Sequence, residues 1–136
     1  MTDSILIVDG NDEYRESIVD YFRKREFDAT GLGNYEKAIV LVAERKFDIA
    51  IVDYFIGRDS GSALCEAITS RGQGGTALIV TSEVQSTDIE LSIRAHAPAI
   101  FLIKPVPVDN LYAVALKIVE SRAKRNFRSR KMTAPV

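Results

Sequence analysis

Four short apolar runs in this chain each end on a residue able to do chemistry. Residues 5–8 are followed by Asp9 and residues 49–52 by Asp53. Residues 77–80 lead into Thr81 and Ser82, and residues 100–103 lead into Lys104 and Pro105. Two facing carboxylates repel each other unless a cation lies between them. Hard oxygen ligands at strand ends suit Mg²⁺, which takes few protein ligands and leaves room for phosphate oxygens. Lys104 adds a point charge that can pair with a carboxylate or a phosphoryl oxygen, and Thr81 adds a hydroxyl donor. These are the parts of a phosphoryl-transfer site, which works mainly by positioning and charge neutralisation. A carboxylate can also be the nucleophile and form an acyl phosphate. Asp53, on the central strand, is the better placed of the two.

The elements that would carry these residues follow from periodicity. The runs 5–8, 49–52, 77–80 and 100–103 are short, β-branched and nearly continuous in apolar character, as buried strands are. Residues 27–32 are more polar and read as an edge strand. Between them lie amphipathic stretches over 12–25, 35–45, 61–70, 87–95 and 108–124. Strict alternation of strand and helix, five times over, predicts an α/β domain with a doubly wound, five-stranded parallel sheet. Such sheets bind ligands beyond the carboxyl ends of their strands, which is where Asp9, Asp53, Thr81, Ser82 and Lys104 fall.

Composition narrows the classes. The chain has 136 residues, 46% apolar and 27% charged, enough for one domain with its own core. The longest purely apolar run, residues 38–43, is too short to cross a membrane, and residues 1–4 lack the basic flank of a secretory signal. One cysteine, Cys65, and one histidine, His96, leave neither an intrachain disulfide nor a His-pair metal site. A reducing cytoplasm is the expected home. The net charge of −1 hides an asymmetry. Six of the 18 basic residues (Arg122, Lys124, Arg125, Arg128, Arg130 and Lys131) lie beyond Ser121 with no acidic residue among them. That leaves 12 basic against 19 acidic residues in 1–121. The expected division is a folded domain over 1–121 and a basic tail or linker over 122–136. Nucleic acid is a conceivable partner only through that tail.

Ile5-Leu6-Ile7-Val8-Asp9, Ile51-Val52-Asp53, Ile79-Val80-Thr81-Ser82 and Phe101-Leu102-Ile103-Lys104-Pro105, in this order and spacing, resemble the receiver domain of bacterial two-component response regulators. Gly61, eight residues after Asp53, fits the turn before the third helix. The resemblance covers about residues 3–121. It implies a flavodoxin-like (βα)5 fold with strand order 2-1-3-4-5. It implies Asp53 as phosphoacceptor, and Asp9, Asp53 and the backbone carbonyl of Phe55 as Mg²⁺ ligands. It further implies Thr81 and Phe101 as switch residues, Lys104 as the phosphate-bridging lysine, and a cis peptide before Pro105. The implied partners are a histidine kinase or phosphotransfer protein upstream. Downstream, a protein or effector domain would be met through the face of helix 4, strand 5 and helix 5. The module would signal rather than act as an enzyme on external substrates.

One position departs from the family. Receivers carry two adjacent acidic residues after the first strand, and this chain has Asp9-Gly10. Glycine offers no ligand, so Mg²⁺ binding is expected to be weakened, with Asp12 or Asn11 as groups that could fold back over the gap. Restoring an acid at position 10 should then raise Mg²⁺ affinity. The alternative is a degenerate receiver that binds partners without phosphorylation. A Mg²⁺-dependent phosphohydrolase ranks behind both, because the chain has little room for specificity loops.

Blander readings exist for each residue. Asp9, Thr81 or Ser82 could cap a helix, and Lys104 alone could be solvated surface. Asp53 singly could be a turn residue after a strand, but the coincidence of Asp9, Asp53, Thr81 or Ser82, and Lys104 at four strand ends in order is what argues against chance. Glu83 could tune phosphate lifetime or be a solvated charge. Gly31-Leu32-Gly33 reads as a turn, residues 71–75 as a flexible connector, His96 as a helix end, and Cys65 as helix packing.

Overall fold

The computed structural model describes residues 2–70, 75–94 and 99–133. The connector at 71–74 and the helix end at His96 lie outside the described residues. By internal contacts the chain divides into two units, Met1–Val106 and Pro107–Val136.

In the first unit, β1 (Ser4–Val8), β2 (Asp28–Leu32), β3 (Ile49–Asp53), β6 (Ala77–Ser82) and β7 (Ala99–Ile103) form one parallel sheet in the order β2-β1-β3-β6-β7. Counting only these five strands, the order is the expected 2-1-3-4-5. Helices α1 (Asp12–Arg23), α2 (Tyr35–Glu44), α3 (Ser62–Thr69) and α4 (Thr87–Arg94) follow the strands in turn. Side chains alternate across a strand, so one apolar run serves two layers. Leu6, Val8, Ala50, Val52, Leu78 and Val80 join Ala38 and Val42 of α2, Leu64 and Cys65 of α3 and Ile93 of α4 in one core. Ile5, Ile7, Ile49, Ile51 and Ile79 have the other parity, and α1 buries Ile18, Val19 and Phe22.

Helix starts are set by local chemistry. The Asn11 side chain accepts the Tyr14 N–H at the start of α1, and Asn34 accepts that of Lys37 at the start of α2. Helix α1 stops two residues short of the expected end. Glu26 adopts φ +67°, and the Phe27 N–H returns to the Phe22 carbonyl at 3.1 Å. This is a helix terminus that ordinarily takes glycine or asparagine.

Between β3 and α3 lies an antiparallel pair that periodicity does not anticipate, β4 (Phe55–Ile56) with β5 (Asp59–Ser60). Two residues per strand are too few for a pattern. The signal is Gly57, which takes φ +60° as the first residue of a two-residue turn.

The second unit is one helix, α5 (Val108–Thr133). Its start is tied by the Leu111 N–H to the Pro107 carbonyl at 3.2 Å. It runs without a break past Ser121, so the basic segment is helical through Thr133. Among the described residues no helix is long and apolar enough to cross a membrane.

Candidate functional site

The parallel sheet delivers its polar residues to one edge. Apart from tyrosines and Cys65, the buried polar side chains among the described residues are Asp9, Asp53, Thr81 and Ser82. All four sit at the carboxyl ends of β1, β3 and β6 or immediately beyond. Burial of charge is tolerated only when it is paired, and Lys104 supplies the pairing. Its Nζ donates to Asp9 Oδ2 at 2.9 Å and to Asp53 Oδ2 at 3.2 Å. The three side chains are only 14%, 5% and 11% exposed, so the bridge is shielded from solvent.

Each member is held in place by backbone. Asp9 Oδ1 accepts the Asn11 N–H at 2.9 Å. The Asp53 carboxylate accepts the Phe55 N–H, and the Tyr35 hydroxyl donates to the Asp53 carbonyl at 2.5 Å. The peptide between Lys104 and Pro105 is cis, and the Lys104 N–H donates to the Ser82 carbonyl at 2.8 Å.

Electrostatics follow from this crowding. Burial, and then the Asp9 charge, push the Asp53 carboxyl above the ordinary carboxylate range, with Lys104 pulling it back. For Lys104, burial alone would lower the ammonium's pKa. The hydrogen bond to Asp9 and the two carboxylate charges outweigh burial, and the net direction is upward.

The expected site residues do not all converge. Asp9, Asp53 and Lys104 meet directly. Thr81 pairs in register with Asp53 at the end of β6, and its carbonyl accepts the Tyr54 N–H at 2.8 Å. Phe55 follows at the base of the hairpin. Phe101 stands opposite Val80, part-buried against the core. Asp12 is not brought to the carboxylates. Its side chain is 80% exposed and pairs with Arg15 Nη2 at 2.7 Å. Asn11 is committed to capping α1. Neither residue folds over Gly10.

Three supporting residues escape sequence reasoning. Arg15 reaches back from α1 and donates to the Asp9 carbonyl at 2.8 Å, holding the loop that carries the carboxylate. Gly33, and to a lesser degree Gly31, leave the space the Arg15 side chain occupies. A Cβ on Gly33 would meet Arg15 Nη1 at 2.8 Å, and one on Gly31 would meet Val19 Cγ2 at 2.8 Å and Arg15 Cγ at 3.3 Å. The Gly31-Leu32-Gly33 segment is not the expected turn: Gly31 and Leu32 end strand β2, paired with Ile7 and Val8, and only Gly33 lies beyond it. Tyr14 donates to the Val106 carbonyl at 2.5 Å, and Lys104 Nζ lies 5.4 Å from its ring centre. The third is Ile56, whose side chain lies beside Gly10. The i, i+3 and i+4 positions facing the first strand end could have flagged Arg15. Nothing local flags Ile56.

The side-chain groups at this edge that could ligate a cation are all oxygen: the carboxylates of Asp9 and Asp53 on adjacent strand ends. Among the described residues no group of three or more acidic, histidine or cysteine side chains is arranged so that it could hold a metal ion. Two carboxylates fit a divalent cation that keeps most of its water, and do not fit a dehydrated, all-protein cage.

Fold, strand order and this constellation define a signalling receiver. The chain matches the family model described as "Response regulator receiver domain" over residues 5–116, and it belongs to that family. Among curated relatives it is 30% identical, over 65% of its length, to "Transcriptional regulatory protein CitT" of Bacillus subtilis. It is 28% identical, over 91% of its length, to a "Cyclic di-GMP phosphodiesterase" of Thermotoga maritima. The chain spans only 39% and 32% of those two proteins. Among solved structures it superposes on a CheY-like receiver domain protein from Methanospirillum hungatei with a TM-score of 0.78. That match has 20% identity and covers 91% of this chain and 99% of the other. A response regulator from Burkholderia pseudomallei, crystallised with a phosphorylated aspartic acid, a calcium ion and citrate, gives 0.75. Identity is again 20%, covering 93% of this chain and 74% of that one.

Proposed function

We propose that this domain accepts a phosphoryl group on Asp53 from a histidine kinase or phosphotransfer protein, and that the modification alters a protein-interaction face. The observation that carries the reading is Lys104 Nζ bridging Asp9 and Asp53 at the buried strand ends. An Asp53 oxygen attacks phosphorus, the P–O or P–N bond to the donor breaks, and the leaving group departs with that electron pair. The product is an acyl phosphate. Lys104 is positioned to follow the new negative charge, and the Thr81 hydroxyl can donate to a phosphoryl oxygen. Asp9, Asp53 and the Phe55 carbonyl would hold a divalent cation, Mg²⁺ in a cell, which when bound neutralises the phosphoryl charge. The phosphorylated aspartate and calcium of the Burkholderia pseudomallei relative support this assignment by analogy.

The proposed output face, by resemblance to the family, draws on α4 and β7 of the first unit. Within the first unit, Leu91 is 62% exposed and Ile103 40% exposed, as partner-facing apolar residues would be. Cytoplasmic residence fits these partners.

The test is intact-mass measurement with a small acyl-phosphate donor and Mg²⁺. One phosphoryl addition is expected, and Asp53→Asn removes it. No addition at high donor and Mg²⁺ leaves the second reading, a phosphorylation-independent interaction domain. Gly10, which removes an acidic ligand, is the observation that favours it.

A further inference from the structure

A side chain at position 10 meets an obstacle before it meets a metal. A Cβ built on Gly10 would stand 2.9 Å from Cγ2 of Ile56, with Ile56 Cγ1 at 3.6 Å and Cβ at 3.7 Å. The first distance is closer than carbon atoms tolerate, and the other two are ordinary contacts. The obstacle is therefore one methyl, the β-branch of Ile56. A β-branched side chain is stiff at χ1. Ile56 is also fixed from two sides: its backbone pairs with Asp59 in the hairpin, and its side chain packs against the core that includes Val8 and Val52. It cannot swing away as a lysine tip would.

The two residues next to Gly10 in sequence that could fold over the gap do not do so. Asp12 is turned outward onto Arg15, and Asn11 caps α1. The cation affinity of the site then depends on two positions rather than one.

We propose that Gly10 and Ile56 are a matched pair, and that the branch methyl of Ile56 is the residue-level determinant that holds the site to two carboxylates and so sets its divalent-cation affinity. The inference rests on the reading that Asp9 and Asp53 hold the cation. It changes the expectation from sequence: Gly10→Asp alone should gain little, because the new carboxylate cannot be seated without displacing Ile56.

Branching and bulk can be separated. Ile56→Leu keeps the volume and removes the branch at Cβ, whereas Ile56→Val keeps the branch and removes bulk. Mg²⁺ affinity is read by calorimetric titration, and Mn²⁺ affinity by loss of its free-ion EPR signal, without any phosphoryl donor. Expected is less than about a threefold gain for Gly10→Asp and for Gly10→Asp with Ile56→Val. For Gly10→Asp with Ile56→Leu the expected gain is about tenfold or more, the scale on which ligand-shell changes act. A second arm needs no metal. Gly10→Ala should lower the urea midpoint in the parent chain, and less so in the Ile56→Leu background, which also shows whether the variants fold. A full gain from Gly10→Asp alone, equal gains with Leu and Val, or no gain in any background would overturn the proposal. Failure of the underlying reading looks different: cation affinity in the parent chain would then be indifferent to Asp9→Asn and Asp53→Asn.

Discussion

Replacing Lys104 by methionine removes the charge and keeps most of the stem, so it isolates what the ammonium does. Asp9 Oδ2 and Asp53 Oδ2 lie 2.9 and 3.2 Å from the same nitrogen, which puts the two carboxylate oxygens ~5 Å apart with an effective dielectric of ~20 between them, a repulsion of ~3 kcal/mol. That agrees with the ~3–5 kcal/mol lost when one partner of a buried ion pair is removed. The sign with pH is fixed by Asp53. Its pKa lies above the ordinary carboxylate range because of burial and Asp9, and losing Lys104 moves it further up. Folded protein then binds more protons than unfolded protein through the acid range, so stability falls as pH rises. Urea unfolding followed by circular dichroism, in chelator, should show a loss of ~3 kcal/mol for Lys104→Met near pH 8 and a smaller loss in acid, as the Asp53 carboxyl, raised by burial and by Asp9, takes up its proton. Lys104 itself is shifted upward, so its contribution is complete below its unfolded value of about 10.4 and fades as pH rises through the folded one. The parent chain should lose that stability in strong alkali, and Lys104→Met should have none of it to lose. A loss below ~1 kcal/mol at pH 8, or one equal at pH 8 and in acid, would refute the bridge as a buried charge pair.

Three further outcomes are expected. Tyr14→Phe removes the hydroxyl that donates to the Val106 carbonyl and should cost ~1 kcal/mol in urea unfolding, with an unsatisfied carbonyl as the cause. Glu26→Gly relieves a left-handed residue at φ +67° and should stabilise by ~0.5–1 kcal/mol, net of the extra freedom glycine has when unfolded; a loss of stability would contradict the geometry. Cys65 is 2% exposed and burial pushes its thiol up to about 12, so alkylation by iodoacetamide at neutral pH should be negligible in the folded protein and should appear only across the urea transition.

The sheet was legible because its strands are buried on both sides. Residues 5–8 and 49–52 are continuous apolar runs, and the observed β1 and β3 each extend them by a single residue. Reading the residue after each run brought Asp9, Asp53 and Lys104 together because a parallel sheet puts all such ends on one edge. The hairpin was not legible, since two-residue strands have no period and only Gly57 marks the turn. Asp12 instead turns to Arg15, three residues on, whose guanidinium it meets at 2.7 Å while staying 80% exposed. Ile56 was invisible because its role depends on a distance across the sheet edge rather than on its neighbours in sequence. The continuation of α5 through Thr133 has no apolar period behind it beyond Val119.

The branch methyl of Ile56 also constrains the order in which this site could change. An acidic residue arriving first at position 10 meets the methyl and is penalised before it can contribute a ligand. Leucine arriving first at position 56 keeps the core volume, and swaps of this kind usually cost less than ~1.5 kcal/mol. Of the two routes from a two-carboxylate to a three-carboxylate edge, only the one through position 56 is open step by step. The hydrocarbon beside the site, more than the missing acid itself, makes the departure at Gly10 hard to reverse.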